Sequence, residues 1–223
     1  MGEGIGIGDP LKITLDLHVH SVHSRDSVNS IDTITRCIEE AGFQGYALAD
    51  HDTIEGLPEA LEKKGDLVVV PALEVTARGA HVLALDPNEP IPMGLSIAET
   101  IEKIHDQGAT AILAHPYGLP RSWVSINDTK NANLDAVEVA NSAQFPYGYI
   151  CSLNRKLAEE LKLPVTGGSD AHIPDTIGRA YTIIDTPSTE LRDVIDSIRK
   201  GRTEAGGSGI SIYERYKKLL KIG

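Results

Sequence analysis

The 223-residue chain holds eight histidines, and three of them crowd into one short stretch, ITLDLHVHSVHSRDS, with Asp26 close behind. His18 and His20 stand two apart and alternate with Leu15, Leu17 and Val19. Side chains two apart in a strand share a face, so the two imidazoles should point one way and the aliphatic residues the other, toward packed helices. An HxH pair on an inner face is a preformed two-point claw for a metal ion.

The same donor chemistry recurs at other expected strand ends. His51 lies in ALADHDT, His81 in GAHVLAL, His115 in LAHP and His172 in GSDAH. Carboxylates share these places: Glu74 in ALEVT, Glu138 in VEVAN and Asp170 in GGSDAH. Glu74 closes the otherwise apolar run VVVPALEV, where a buried carboxylate needs a partner and a cation is the obvious one. Asp170 and His172 repeat the two-apart spacing, although GGSD also reads as a turn. Asp50 and Asp52 flank His51 and could orient its ring. Glu138 with Asn141 reads as support or pocket lining, and His105, mid-helix, as solvated surface. The set mixes nitrogen and oxygen donors without cysteine, which suits Zn²⁺, Mn²⁺ or Fe²⁺ rather than a cysteine-rich structural zinc site. Nine candidate ligands exceed what one ion needs, so two or three divalent ions bridged by Glu74 are expected.

The elements that must position these residues alternate strand and helix almost throughout. LKITLDLHV, GYALAD, LVVVPALEV, AHVLAL, TAILAHP, DAVEVAN, PVTGGSD and RAYTIID read as strands. SIDTITRCIEEAG, TIEGLPEALEKKG, SIAETIEKIHDQGA, CSLNRKLAEELK and STELRDVIDSIRKG read as helices, with Ser30 a cap and Ser96 and Glu99 a capping box. ISIYERYKKLLKIG is amphipathic and should dock on the body. Successive strand–helix units predict a parallel sheet with helices outside. Polar residues gathered from many strand ends favour a barrel-like closure over an open sheet with one switch point.

Composition narrows the rest. Aromatic residues make up only 4%, so the core is aliphatic. A net charge of -11 excludes a generic nucleic-acid-binding surface. Apolar runs fall short of the ~20 residues of a membrane span, and MGEGIGIGDP has neither the basic nor the apolar region of a signal peptide. Cys37 and Cys151 form no CxxC, which predicts reduced, buried thiols in a cytoplasmic protein.

DLHVHS, ALADHDT, ALEVTARGAHVLAL, LAHP, VEVAN and GGSDAH together resemble the polymerase-and-histidinol-phosphatase (PHP) superfamily, in its order, over residues 16 to 172. With the flanking helices, the likeness extends over nearly the whole chain. The resemblance implies an α/β fold: a distorted seven-stranded β/α barrel with a metal cluster at the C-terminal ends of its strands. One domain would span residues 1–223, with 1–10 a flexible tail and 210–223 a docking helix. Carried over residue by residue, His18, His20, Glu74 and Asp170 would hold one ion. Asp26, His51 and His172 would hold a second, and Glu74, His81 and His115 a third. The family places an acid or histidine five or six residues after its HxH. Arg25 stands at the fifth place here, so Asp26 takes that role. His23 falls where an aromatic is common and reads as a bystander or pocket wall. The long insertion of some family phosphoesterases has no counterpart, and residues 117–133 are left to cover the mouth.

The resemblance implies hydrolysis of a phosphate ester, mono- or diester, with nucleotides or oligonucleotides among the candidates and metal-activated water as nucleophile. Three ions against three carboxylates would leave the mouth about three charges positive, which attracts a phosphate dianion to an acidic protein. His172 and His115 are candidate proton carriers, and Arg179 in IGRAYT is a candidate phosphate clamp. Two alternatives stay open: an amidohydrolase-like C–N hydrolase, and a non-catalytic metal-binding scaffold. The oligomeric state is unspecified.

Overall fold

The computed structural model describes residues 11–118 and 122–222. The tail expected over residues 1–10 lies outside the described residues. In chain order the elements are β1 (Leu11–Val19), α1 (Ile31–Glu40), β2 (Gly45–Leu48), α2 (Leu57–Lys63), β3 (Val68–Ala77), β4 (Ala80–Leu85), α3 (Ile97–Asp106) and β5 (Thr110–Ala114). They continue with α4 (Ile126–Lys130), β6 (Ala136–Asn141), α5 (Tyr147–Leu161), β7 (Val165–Gly168), β8 (Ala180–Thr186), α6 (Leu191–Arg199), β9 (Thr203–Gly207) and α7 (Ile212–Ile222). The expected caps form: Ser30 accepts from the Thr33 N–H, and Ser96 and Glu99 close a reciprocal capping box.

The strands form one sheet in the order β7-β6-β5-β4-β3-β2-β1-β8-β9. Backbone bonds then join the segment just after β7 to the end of β1. Asp170 N–H donates to the His18 carbonyl at 2.7 Å, and His20 N–H donates to the Ala171 carbonyl at 3.1 Å. Strands β1 to β7 thus make the nearly closed barrel, while β8 and β9 extend it antiparallel beside β1. The sheet has nine strands instead of the expected seven. β9, in GRTEAGG, escapes sequence reading because it lacks an apolar alternation.

One strand runs against the parallel expectation. β4 pairs antiparallel with both β3 and β5. Only Arg78 and Gly79 separate β3 from β4, too few residues for a crossover helix, and Gly79 takes φ 77 to turn the chain. His81 therefore stands at the beginning of its strand, not the end, and the reversal carries it to the same mouth.

The barrel interior is apolar below and polar above. Val68, Val70 and Ala72 of β3, Leu83 and Leu85 of β4, Ile112 of β5 and Ala136 of β6 share one core cluster, joined by Val194, Ile195 and Ile198 of α6. Continuing each alternation toward the mouth reaches Glu74, His81 and Glu138. β1 departs from plain alternation. Leu15 and Leu17 belong to the interior cluster, whereas Val19 packs with Ile31, Ile34 and Ile38 of α1. The β1–β2 pairing shifts register between Asp16 and Val19, and that irregularity changes which face each side chain takes.

Cys151 is buried and Cys37 half-buried, and both are free thiols. Among the described residues no helix is long and apolar enough to cross a membrane.

Candidate metal centre

Glu74 is the hub of the mouth. Its Oε2 lies 3.3 Å from both His18 Nε2 and His20 Nε2, and 3.0 Å from His51 Nδ1. Its Oε1 lies 2.7 Å from His81 Nδ1 and 2.9 Å from His115 Nε2. Asp170 Oδ1 approaches His20 Nε2 at 3.3 Å and His18 Nε2 at 3.9 Å. Asp26 Oδ1 lies 3.3 Å from His172 Nε2 and 3.7 Å from His51 Nε2. All nine expected ligand residues therefore converge at one end of the barrel.

Several of these atoms are buried without a hydrogen-bond partner: His18 Nε2, His20 Nε2, His51 Nε2, His172 Nε2 and Glu74 Oε2. Buried polar atoms are normally satisfied, so five clustered exceptions call for a ligand. Their donor sets, among them His18–His20–Glu74, His20–His51–His172 and His51–Glu74–His81, sit close enough to hold cations. Imidazole nitrogen with carboxylate oxygen fits divalent transition metals. His115 and Asp170 adopt φ 29 and φ 54, a left-handed backbone that is strained for non-glycine residues and aims both side chains into the cluster.

The remaining ring nitrogens are tied down, which sets their tautomers. His18 Nδ1 lies 3.0 Å from Glu138 Oε1, so a proton there leaves Nε2 as the lone-pair face. Glu138 Oε2 also accepts from His115 N–H at 3.0 Å and from Asn141 Nδ2 at 2.9 Å. His20 Nδ1 meets Ser24 Oγ at 3.1 Å, and Ser24 donates onward to Asp50 at 2.8 Å. His172 Nδ1 donates to the Asp170 carbonyl at 2.9 Å.

Ser21, Ser24 and Asp50 form a buried network that sequence reasoning missed, with Ser21 donating to Asp50 through both its N–H and its hydroxyl. Their signal was two short hydroxyl residues closely following the HxH pair. Asp50 therefore supports the His20 ring rather than the His51 ring, while Ser24 also accepts from the His51 backbone N–H at 3.0 Å. Asp52 also turns away from His51 and binds Thr76 through both carboxylate oxygens.

The protonation balance of the metal-free site follows from its charges. Burial opposes the ionisation of Glu74, but His18, His81 and His115 overcome it and hold the carboxyl well below its usual range. Asp170 is held low in the same way, against burial, by His18, His20 and His172. Burial also opposes charge on His20, yet Asp170 and Glu74 raise it to about 9. His51 goes down to about 4 through burial and the neighbouring His20.

Other expected residues lie elsewhere. His23 lines a neighbouring cavity, with Nε2 4.0 Å from Glu59. His105 pairs with Asp135 at 2.8 Å instead of standing solvated. Arg179 is engaged by Glu214 of α7, so it pins that helix to the barrel. Residues 117–133 include α4, and the mouth is lined from above by α7, whose Arg215, Lys218 and Leu219 face the cavity beside Glu74.

Sequence comparison finds a match to the PHP-associated family PHP_C over residues 151–203, a segment that carries Asp170 and His172. An uncharacterized protein of Methanocaldococcus jannaschii is 37% identical over 139 residues, 57% of this chain and 81% of its own. The fold is shared with a Bacteroides vulgatus two-domain protein containing a predicted PHP-like metal-dependent phosphoesterase. That likeness has a TM-score of 0.75 at 17% identity, over 98% of this chain and 73% of the other. The chain belongs to the PHP superfamily.

The PHP fold is also shared with the lesion-specific endonuclease EndoQ of Pyrococcus furiosus. The TM-score is 0.71 at 16% identity, over 90% of this chain and 60% of the endonuclease. In this PHP chain, His81 arrives at the mouth on an antiparallel strand, and the cationic helix α7 lies against the same mouth.

Proposed function

We propose that this PHP protein hydrolyses phosphate esters with two or three divalent metal ions held at the barrel mouth. The observation that carries the reading is the convergence of orphaned buried donor atoms around Glu74. His18, His20, Glu74 and Asp170 would hold one ion, Asp26, His51 and His172 a second, and Glu74, His81 and His115 a third. Ions bound there would acidify water and offset the charge of a phosphate group.

The chain's own residues supply the rest. Glu138, Ser24 and the Asp170 carbonyl fix the ring orientations of His18, His20 and His172. His115, the candidate proton carrier of this reading, lines the cavity beside Glu74, and its Nδ1 faces Ser122 Oγ at 3.4 Å, a contact that orients the ring. His172 is nearly fully buried and serves mainly as a nitrogen donor in this reading. Zinc, manganese or iron suits the donor set, and a reducing cytoplasm suits two free cysteines. The relatives described as phosphoesterase and endonuclease support a phosphate or nucleotide substrate.

The test is turnover by protein loaded with Mn²⁺ or Zn²⁺, using a generic phosphomonoester, a phosphodiester and a nucleotide panel. At least one should release phosphate or cleave, and Asp170→Asn should lose both activity and bound metal. Verified metal loading with no turnover of any ester would sink the reading.

A further inference from the structure

The geometry points to Lys218 of α7 as the residue that contacts the phosphate oxygens of the substrate and so sets the preference of this site for phosphorylated ligands. This rests on the phosphoester reading above and adds a residue outside the metal-binding set.

Two cavities open from the mouth and meet at His81. One, of about 560 Å³, includes His23, Arg25, Asp26 and Met93 in its walls. The other, of about 350 Å³, is bounded by Glu74, His115 and Asp170 on the barrel side and by Arg215, Lys218 and Leu219 of α7. Positions 215, 218 and 219 are three and four residues apart, so they share one helix face, and that face looks onto the cavity.

The helix is held in place by its other polar groups. Glu214 pairs with Arg179 and also accepts from Ser211 N–H. Lys217 and Lys221 both pair with Asp175. Arg215 donates to the carbonyls of Ala143 and Gln144 at 2.9 and 2.8 Å, and its guanidinium lies over the Phe145 ring. Lys218 is different: it is half-buried on the cavity face and has no hydrogen-bond or ion-pair partner among the described residues.

Its charge nevertheless reaches the cluster. It is among the groups that hold the Asp170 carboxyl low and that disfavour protonation of His172. An ammonium placed there, beside a site rich in carboxylates, is suited to an anion seated between it and the cluster. A phosphate meets that description because it presents several oxygens at once, some toward the cluster and some toward α7. Arg25, which is exposed on the wall of the other cavity, is the natural control.

Calorimetric titration of the full-length, Mn²⁺-loaded protein with inorganic phosphate tests the assignment without turnover. Lys218→Met keeps the aliphatic stem and removes the charge. It should weaken phosphate binding about tenfold or more, the scale of one charge-assisted hydrogen bond. Metal content and melting temperature should be unchanged. Lys218→Arg should restore most of the affinity, and Arg25→Ala should leave it within about twofold of wild type. In the wild-type protein, saturating phosphate should shield Lys218 from amine acylation, read by peptide mass spectrometry. Wild-type phosphate affinity in Lys218→Met, or a loss in Arg25→Ala instead, would overturn the role of Lys218 and leave the phosphoester reading standing. Failure of the metal-loaded wild type to bind phosphate, together with silence on every ester, would overturn both.

Discussion

Glu138 Oε1 lies 3.0 Å from His18 Nδ1, and both side chains are fully buried. The contact puts the ring proton on the nitrogen away from Glu74 and leaves Nε2 facing the cluster. The same carboxylate accepts from the His115 N–H, so one side chain positions histidines on two strands.

Replacing Glu138 with Gln keeps its shape but removes the charge that holds the His18 proton in place. Metal affinity should fall about 10–100-fold, the usual cost of losing a carboxylate behind a ligating histidine. Titration of the metal-free variant with Mn²⁺ measures it, and circular dichroism checks that the fold survives. Unchanged affinity would mean that the His18 tautomer is set by something else.

His23 and Asp26 are close in sequence but differ in surroundings. His23 stands in a cavity wall near Glu59, whereas Asp26 Oδ1 approaches both His172 and His51. His23→Ala should keep nearly all bound metal, and Asp26→Ala should lose about one ion per chain. Elemental analysis of the purified variants decides it, and the reverse pattern would reassign the loop.

Metal binding and metal-free stability should respond to pH in opposite directions. His20 sits at about 9 against an ordinary 6.5, with burial opposed and outweighed by Asp170 and Glu74. A metal needs the neutral ring, so below about pH 9 a proton must leave when it binds. Mn²⁺ affinity should therefore rise up to about pH 9, with proton release countable by calorimetry in two buffers of different ionisation enthalpy. For the metal-free fold, a raised histidine stabilises fully below pH 6.5 and loses that contribution as pH climbs through about 9. Its melting temperature should fall over that window. Binding without proton release would show the ring already neutral.

Much of this site was legible because strand periodicity and donor chemistry coincide. HxH at the end of β1 and DxH after β7 each bring two donors to the mouth, and Glu74 stands out at the end of an apolar run. What stayed hidden depends on tertiary geometry. The direction of β4 rests on a two-residue turn, so His81 looked like a residue at the end of its strand. The register shift in β1 is invisible in the letters LDLHV. Arg179 looked like a phosphate clamp because nothing local announces its partner, Glu214, which lies 35 residues away. The supporting roles of Ser24 and Asp50 appear only when β1 and β2 lie side by side.

Closure of the barrel should depend on Gly168. A Cβ at that position would lie 2.4 Å from His18 Cβ and 2.7 Å from the His18 backbone nitrogen. The obstruction includes backbone, so it cannot be relieved by a rotamer change. Gly168→Ala must push β7 away from β1, and those strands are joined there by the Asp170 N–H to His18 carbonyl bond. The overpacking alone costs about 1–3 kcal/mol. The same displacement would separate Asp170 from His18 and His20, so metal affinity should fall together with stability. Denaturant melts with and without Mn²⁺ would read both effects, because metal that binds the native state adds stability in proportion to its affinity. The metal-induced gain should shrink in the variant. A variant that loses stability but keeps the full gain would show that the strands can part without disturbing the ligands.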